Sequence, residues 1–185
     1  MERRTLLKGL LATLFASRTA HAAPPTTMKG IEELQKNWKQ YLAAGYNAPL
    51  PSEPLKLSNQ EWRKRLPQES YKVLREEGTE RAGSSPLDSE KREGVFVCAG
   101  CNLPVFTSAM KFDSGTGWPS FFTTIPGVIE SKTDYLLVYP RTEYHCTRCG
   151  GHHGHVFNDG PKPTGLRYCM NGVAMTFMPA ASPAT

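Results

Sequence analysis

The chain has 185 residues and a mass of 20.5 kDa, room for one compact domain and not comfortably for two. Its formal charge of +5 falls to +2 once residues 1–22, which carry four cations and one anion, are set aside, so nothing demands a nucleic-acid partner. The 5 cysteines are an odd number, which excludes pairing all of them as internal disulfides.

The start, Met1-Glu2-Arg3-Arg4, leads into a mostly apolar stretch through Ala16 and then the small-residue site Ala20-His21-Ala22. Twin arginines, an apolar run too short to span a bilayer and an A-x-A site read as a twin-arginine-type signal peptide, residues 1–22, cleaved after Ala22. An uncleaved anchor or an amphipathic helix is the bland reading, but the segment lacks both the spanning length and the polar face. The expected destination is the periplasm, with no stable membrane association after cleavage. Thiols delivered unfolded to that oxidising space would be expected to pair. Export in the folded state would let a metal protect them first.

Residues 23–57 read as an N-terminal extension and linker. Within it, Ile31, Leu34, Trp38, Tyr41 and Leu42 recur near helical spacing, so a helix is predicted over 31–44 with Gly45 as its stop. Pro49, Pro51 and Pro54 mark an extended wrap along the surface. The main domain is placed at 58–185. Ser58-Asn59-Gln60-Glu61 fits a capping box for a short helix to about Leu66. Pro67 suits the first turn of a second helix, with Tyr71, Val73 and Leu74 as its apolar side and Gly78 at its end.

Beyond Gly94 short β-type runs take over, at 95–97, 105–106, 128–131, 135–139, 156–157 and 173–177, with a hairpin turn at Lys132, Thr133 and Asp134. Helices first and strands after argue for an α+β or mainly β single domain with a peripheral helical layer.

Cys98-Ala99-Gly100-Cys101 and Cys146-Thr147-Arg148-Cys149 are two Cys-x-x-Cys knuckles, the ligand set of a closed tetrahedral zinc site. Four thiolates fill the ion's sphere, so the role is structural, stapling distant parts of one domain. Two disulfides, a thioredoxin-type redox pair and iron in the same sulfur cage are the competing readings. Cys169 is left over. A lone thiol is commonly a small buried hydrophobe, but Arg167 lies two positions before it, on the same face of an extended segment. Gly151-His152-His153-Gly154-His155 adds imidazoles nearby, and guanidinium and imidazolium both favour a thiolate.

Four further motifs carry a resemblance: Tyr71-Lys72-Val73-Leu74-Arg75 with Gly78-Thr79-Glu80-Arg81; 111–121, containing Gly115-Thr116-Gly117-Trp118-Pro119; Gly154-His155-Val156-Phe157 through Gly160-Pro161; and 163–171, ending Arg167-Tyr168-Cys169-Met170-Asn171. In this order, around the knuckles, they resemble the methionine sulfoxide reductase B family from about Glu61 to Phe177. The resemblance implies antiparallel β-sheets, a zinc ion away from the catalytic pocket, and reduction of methionine-(R)-sulfoxide in oxidised proteins or as the free amino acid. It implies Cys169 as nucleophile, His152 and His155 as proton donors, Asn171 and Arg167 as positioning groups, and Trp118 as the wall that cups the substrate methyl.

Two local expectations accompany it: Phe157 as core, and His153 as an exposed neighbour without a role. Many family members carry a second cysteine where this chain has Thr116, so a thioredoxin-like external thiol is the expected reductant. The protein is expected to be a monomer. A zinc-stabilised binding module with Cys169 merely buried is the reading from another class, and a nucleic-acid zinc ribbon a third.

Overall fold

A computed structural model describes residues 24–134 and 140–181. The expected signal segment and the expected strand at 135–139 lie outside the described residues. Among the described residues three short helices precede nine strands, all paired antiparallel, which agrees with the mainly β reading.

Helix α1, Met28–Lys36, starts earlier than its apolar pattern because the Thr27 side chain accepts from Gly30 N and caps it. It also stops earlier, at Asn37, and Trp38–Tyr41 tighten into a 3-10 turn. With Ile31 its one buried residue, α1 has little packing to extend it against a poor helix former. Helix α2, Asn59–Arg65, carries the capping box in full: Ser58 N donates to Glu61 Oε2 at 2.8 Å and Glu61 N to Ser58 Oγ at 3.3 Å. Helix α3, Gln68–Glu76, follows Pro67 and ends with Glu77 in the left-handed region.

Strands β1 (Gly94–Cys98), β2 (Pro104–Thr107) and β9 (Met175–Pro179) form one sheet in the order β2-β1-β9. The larger sheet runs β3-β4-β8-β7-β6-β5, with β3 Lys111–Phe112, β4 Ser120–Phe121, β8 Arg167–Met170, β7 His152–Phe157, β6 Arg141–Cys146 and β5 Ile129–Asp134. Two expectations change. Lys132, Thr133 and Asp134 continue β5 instead of turning, because they pair with Glu143, Thr142 and Arg141. Val173 and Ala174 belong to a 3-10 turn that precedes β9.

The core joins both sheets. The Phe106 ring stacks on Phe121 at 4.0 Å, and Phe96 meets Phe121 edge-on at 5.0 Å. Each fully buried ring of this kind contributes roughly 2–3 kcal/mol. Helix α3 lies on the start of β7 so closely that a Cβ on Gly151 would sit 2.8 Å from Leu74 Cδ2, which makes glycine the residue that admits the contact. Strand β7 is thereby fixed between the second cysteine knuckle and β8.

Candidate functional site

The four knuckle cysteines converge. Their sulfurs all lie within 4.8 Å of one another, all four residues are buried, and Cys98 and Cys149 are 3.6 Å apart, Cys101 and Cys146 3.5 Å. A tetrahedron of thiolates at the usual zinc–sulfur length has sulfur edges of about 3.8 Å, so the donors fit one such ion. Hydrogen bonding to Cys101 and the other two thiols, then burial, pushes the Cys98 thiol well above its ordinary range. A divalent cation reverses that preference by holding the sulfurs as thiolates. Cys169 is outside this cluster.

Cys169 lies elsewhere on the large sheet, half-buried on β8. It lines a cleft of about 140 Å³ together with Thr79, Trp118, Arg141, His155, Phe157 and Asn171. Strand register sets its neighbours: His155 on β7 stands opposite Cys169 on one side and Ser120 on β4 on the other. Directly opposed residues of antiparallel strands share a face, so imidazole and thiol are presented together.

Burial pushes the Cys169 thiol up, and the Arg167 guanidinium pulls the other way. The sequence argument for a favoured thiolate therefore holds for Arg167 but is outweighed here by desolvation. Arg167 is held by a two-pronged pair with Asp159, Nε to Oδ1 and Nη2 to Oδ2, both at 2.8 Å. It also lies 4.4 Å above the Phe157 ring. Phe157 is thus not core: it is half-buried and forms part of the cleft.

The histidines occupy three different settings. Pairing of β6 with β7 runs Tyr144 to Gly154 and then His145 to His152, which leaves His153 as the extra residue of a bulge. The bulge reverses the alternation, so His152 and His155 meet on one side with ring centroids 5.4 Å apart. His155 lines the Cys169 cleft, whereas His152 lines a second cleft beside Lys132 and Glu143 and bonds Glu143 Oε1 through Nδ1 at 2.7 Å. His153 points the other way. It is wholly buried against Tyr144, with neither ring nitrogen partnered, which corrects its reading as an exposed neighbour. Burial lowers its pKa to about 3.

Trp118 and Asn171 are both tied to Glu80. Trp118 Nε1 donates to Glu80 O at 3.2 Å, and Glu80 N donates to Asn171 Oδ1 at 2.9 Å. The Glu80 carboxylate accepts from Gly172 N at 2.6 Å and Val173 N at 3.0 Å. Asn171 Nδ2 donates to His153 O at 3.0 Å, so both ends of its amide serve the walls of the cleft. Gly117 before the tryptophan has φ +83, and a Cβ there would sit 2.9 Å from Gly83 N. Glu80, Glu143 and Asp159 were not singled out from the sequence. A carboxylate gives no local sign of which distant partner it will reach, whether the histidine of Glu143, the arginine of Asp159 or the backbone amides of Glu80.

Comparison with known proteins places these residues in a wider pattern. Residues 66–179 match the SelR domain family. A "Peptide methionine sulfoxide reductase MsrB" of Agrobacterium fabrum is 47% identical over 131 residues, spanning 70% of this chain and 97% of the relative. One of the same name from Pseudomonas putida is 50% identical over 122 residues, spanning 64% and 92%. The chloroplastic "Peptide methionine sulfoxide reductase B1" of Arabidopsis thaliana is 48% identical over 120 residues, spanning 64% and 59%.

Proposed function

The chain belongs to the methionine sulfoxide reductase B family and is an oxidoreductase of that type, and from that premise we propose that it returns methionine-(R)-sulfoxide to methionine at Cys169, in oxidised proteins or as the free amino acid. The observation that carries this reading is the separation of the sulfurs: four share a buried cage, and one faces a cleft between an indole and an imidazole.

A sulfoxide has one polar oxygen and two apolar arms. Trp118 and Phe157 would receive the methyl end, while His155 and Asn171 face the oxygen. With one proton delivered to that oxygen, the Cys169 thiolate attacks the sulfoxide sulfur: the substrate S–O bond breaks as the oxygen passes to Cys169, methionine is released, and a sulfenic acid remains. The substrate sulfur gains the two electrons that Cys169 loses. His155 is the donor nearest the thiol in the sheet register, with His152 behind it and Arg167 steadying the sulfur's charge. No other thiol lies in the Cys169 cleft. Thr116 instead bonds Ser114 Oγ at 2.8 Å. The sulfenic acid is then cleared by a thioredoxin-like external thiol, through a mixed disulfide.

Zinc is the metal we assign to Cys98, Cys101, Cys146 and Cys149, in a structural role. The fold acts as a monomer of residues 58–185, following a linker at 23–57. We also propose that residues 1–22 direct export to the periplasm by the twin-arginine route. Among the described residues no helix is long and apolar enough to cross a membrane. Fractionation that finds the chain only in the cytoplasm, still beginning at Met1, would refute the export reading.

One preparation tests the chemistry. Mature protein with dithiothreitol should turn over an R-sulfoxide peptide and leave its S epimer untouched, with one zinc per chain in the same sample. After a single turnover without reductant, dimedone should label Cys169. Equal turnover of both epimers, or a disulfide to Cys169, would count against the scheme.

A further inference from the structure

Pairing across the large sheet draws residues from six strands into one transverse row: Lys132 on β5, Glu143 on β6, His155 on β7, Cys169 on β8, Ser120 on β4 and Phe112 on β3. Opposed side chains of antiparallel neighbours emerge on the same face, so a carboxylate stands one strand from the imidazole and two strands from the thiol. Glu143 is 3% exposed, and a buried carboxylate requires partners. It has two. Its Oε2 lies 3.1 Å from Lys132 Nζ, and its Oε1 lies 2.7 Å from His152 Nδ1. His152 is equally buried, and its Nε2 has no hydrogen-bond partner.

We propose that Glu143 is a positioning residue for the reductase step, fixing His152 with its proton on Nδ1 so that Nε2 is left to serve the His155 ring beside the Cys169 cleft. The chemistry of the pair sets the tautomer. An ionised carboxylate can only accept, so the nitrogen that meets it must carry hydrogen. A ring that carries a single proton then has its lone pair on Nε2, which is buried without a hydrogen-bond partner.

The bulge at His153 makes this arrangement possible, because it returns His152 to the face that His155 occupies. Lys132 completes the row at its exposed end. It is shared with Glu77 at 2.7 Å, which keeps the ammonium from neutralising Glu143 alone. A carboxylate that orients a histidine without touching substrate acts in the same way on unrelated folds.

This inference rests on the sulfoxide reductase reading, and the test separates the two. Glu143→Gln keeps the shape and removes the charge. In single-turnover assays on full mature protein it is expected to slow R-sulfoxide reduction by about 10–100-fold while KM stays within about twofold. Zinc content and Tm should be retained. Nitrogen–proton correlation spectra of the wild type should place a slowly exchanging ring proton on His152 Nδ1, lost in the variant.

A Gln variant within about threefold of wild type, or one that loses rate, KM and Tm together, would overturn the positioning role. A His152 proton found only on Nε2 in the wild type would overturn it even if the variant failed to fold. Absence of R-sulfoxide turnover in the wild type would remove the function itself, and this inference with it.

Discussion

The two ends of strand β7 put sulfur into opposite surroundings. At its start, four thiols are packed within 4.8 Å and buried beneath α3 and its neighbours. Three residues into the strand, His155 faces a single thiol that is half-buried and opens on a cleft. The side chain is the same in both places, so burial and the number of neighbouring sulfurs decide its role. Crowded thiols with no room for a reactant are a donor set for a cation. A solitary thiol beside a guanidinium can act as a nucleophile.

The sharpest way to break this comparison is to replace one sulfur by oxygen at each end. Cys169→Ser is expected to lower R-sulfoxide turnover on the order of 10³-fold or more, since the hydroxyl is a far weaker nucleophile. Its zinc content and Tm should match the wild type. Cys98→Ser should do the reverse in kind: lost metal, and a Tm lower by about 10 °C or more, as expected for a few kcal/mol in a domain of this size. If Cys98→Ser lost activity with stability and metal intact, the division between a holding end and a reacting end would be wrong.

A smaller effect tests the reacting end alone. Arg167 opposes the burial that raises the Cys169 thiol, and its own position depends on Asp159 and the Phe157 ring. Arg167→Met keeps much of the stem and removes the charge, so alkylation of Cys169 by iodoacetamide at pH 7 should slow by roughly an order of magnitude. Arg167→Lys should not restore it, because a point charge cannot reproduce the fork that Asp159 grips. Alkylation at the wild-type rate in Arg167→Met would mean that the thiolate draws its stability elsewhere.

What the sequence disclosed follows the range of the interactions. The Ser58/Glu61 capping box and the α3 boundaries are set by residues three or four apart, and both were legible. The meeting of the four sulfurs was legible because each knuckle is itself local and the pairing of knuckles is arithmetic. Strands β3, β4 and β6 are too short or too polar to show apolar alternation, and β8 shows only as the extended run of Arg167 and Cys169: Arg141-Thr142-Glu143-Tyr144-His145-Cys146 takes its strand character from β5 and β7 on either side. The bulge in β7 was equally hidden. It exists only as a mismatch between two strands, and it alone decides which of three clustered histidines face the thiol.

That bulge also sets the mildest prediction. His153 is turned into the core, where two unpartnered ring nitrogens are buried against Tyr144. His153→Leu removes that desolvation penalty and should raise stability at pH 7.5 by about 1 kcal/mol, roughly 3 °C in Tm. The gap should widen in acid. The folded ring titrates at about 3, whereas an unfolded histidine takes its proton near 6.5, so between these values the unfolded chain binds the extra proton and wild-type stability falls with pH. At pH 5.5 this linkage amounts to about 1.4 kcal/mol, enough to bring the difference in Tm to roughly 7 °C. A gap that stays constant from pH 7.5 to 5.5 would mean that the ring is solvated after all, and that the bulge does not divide the histidines as the register indicates.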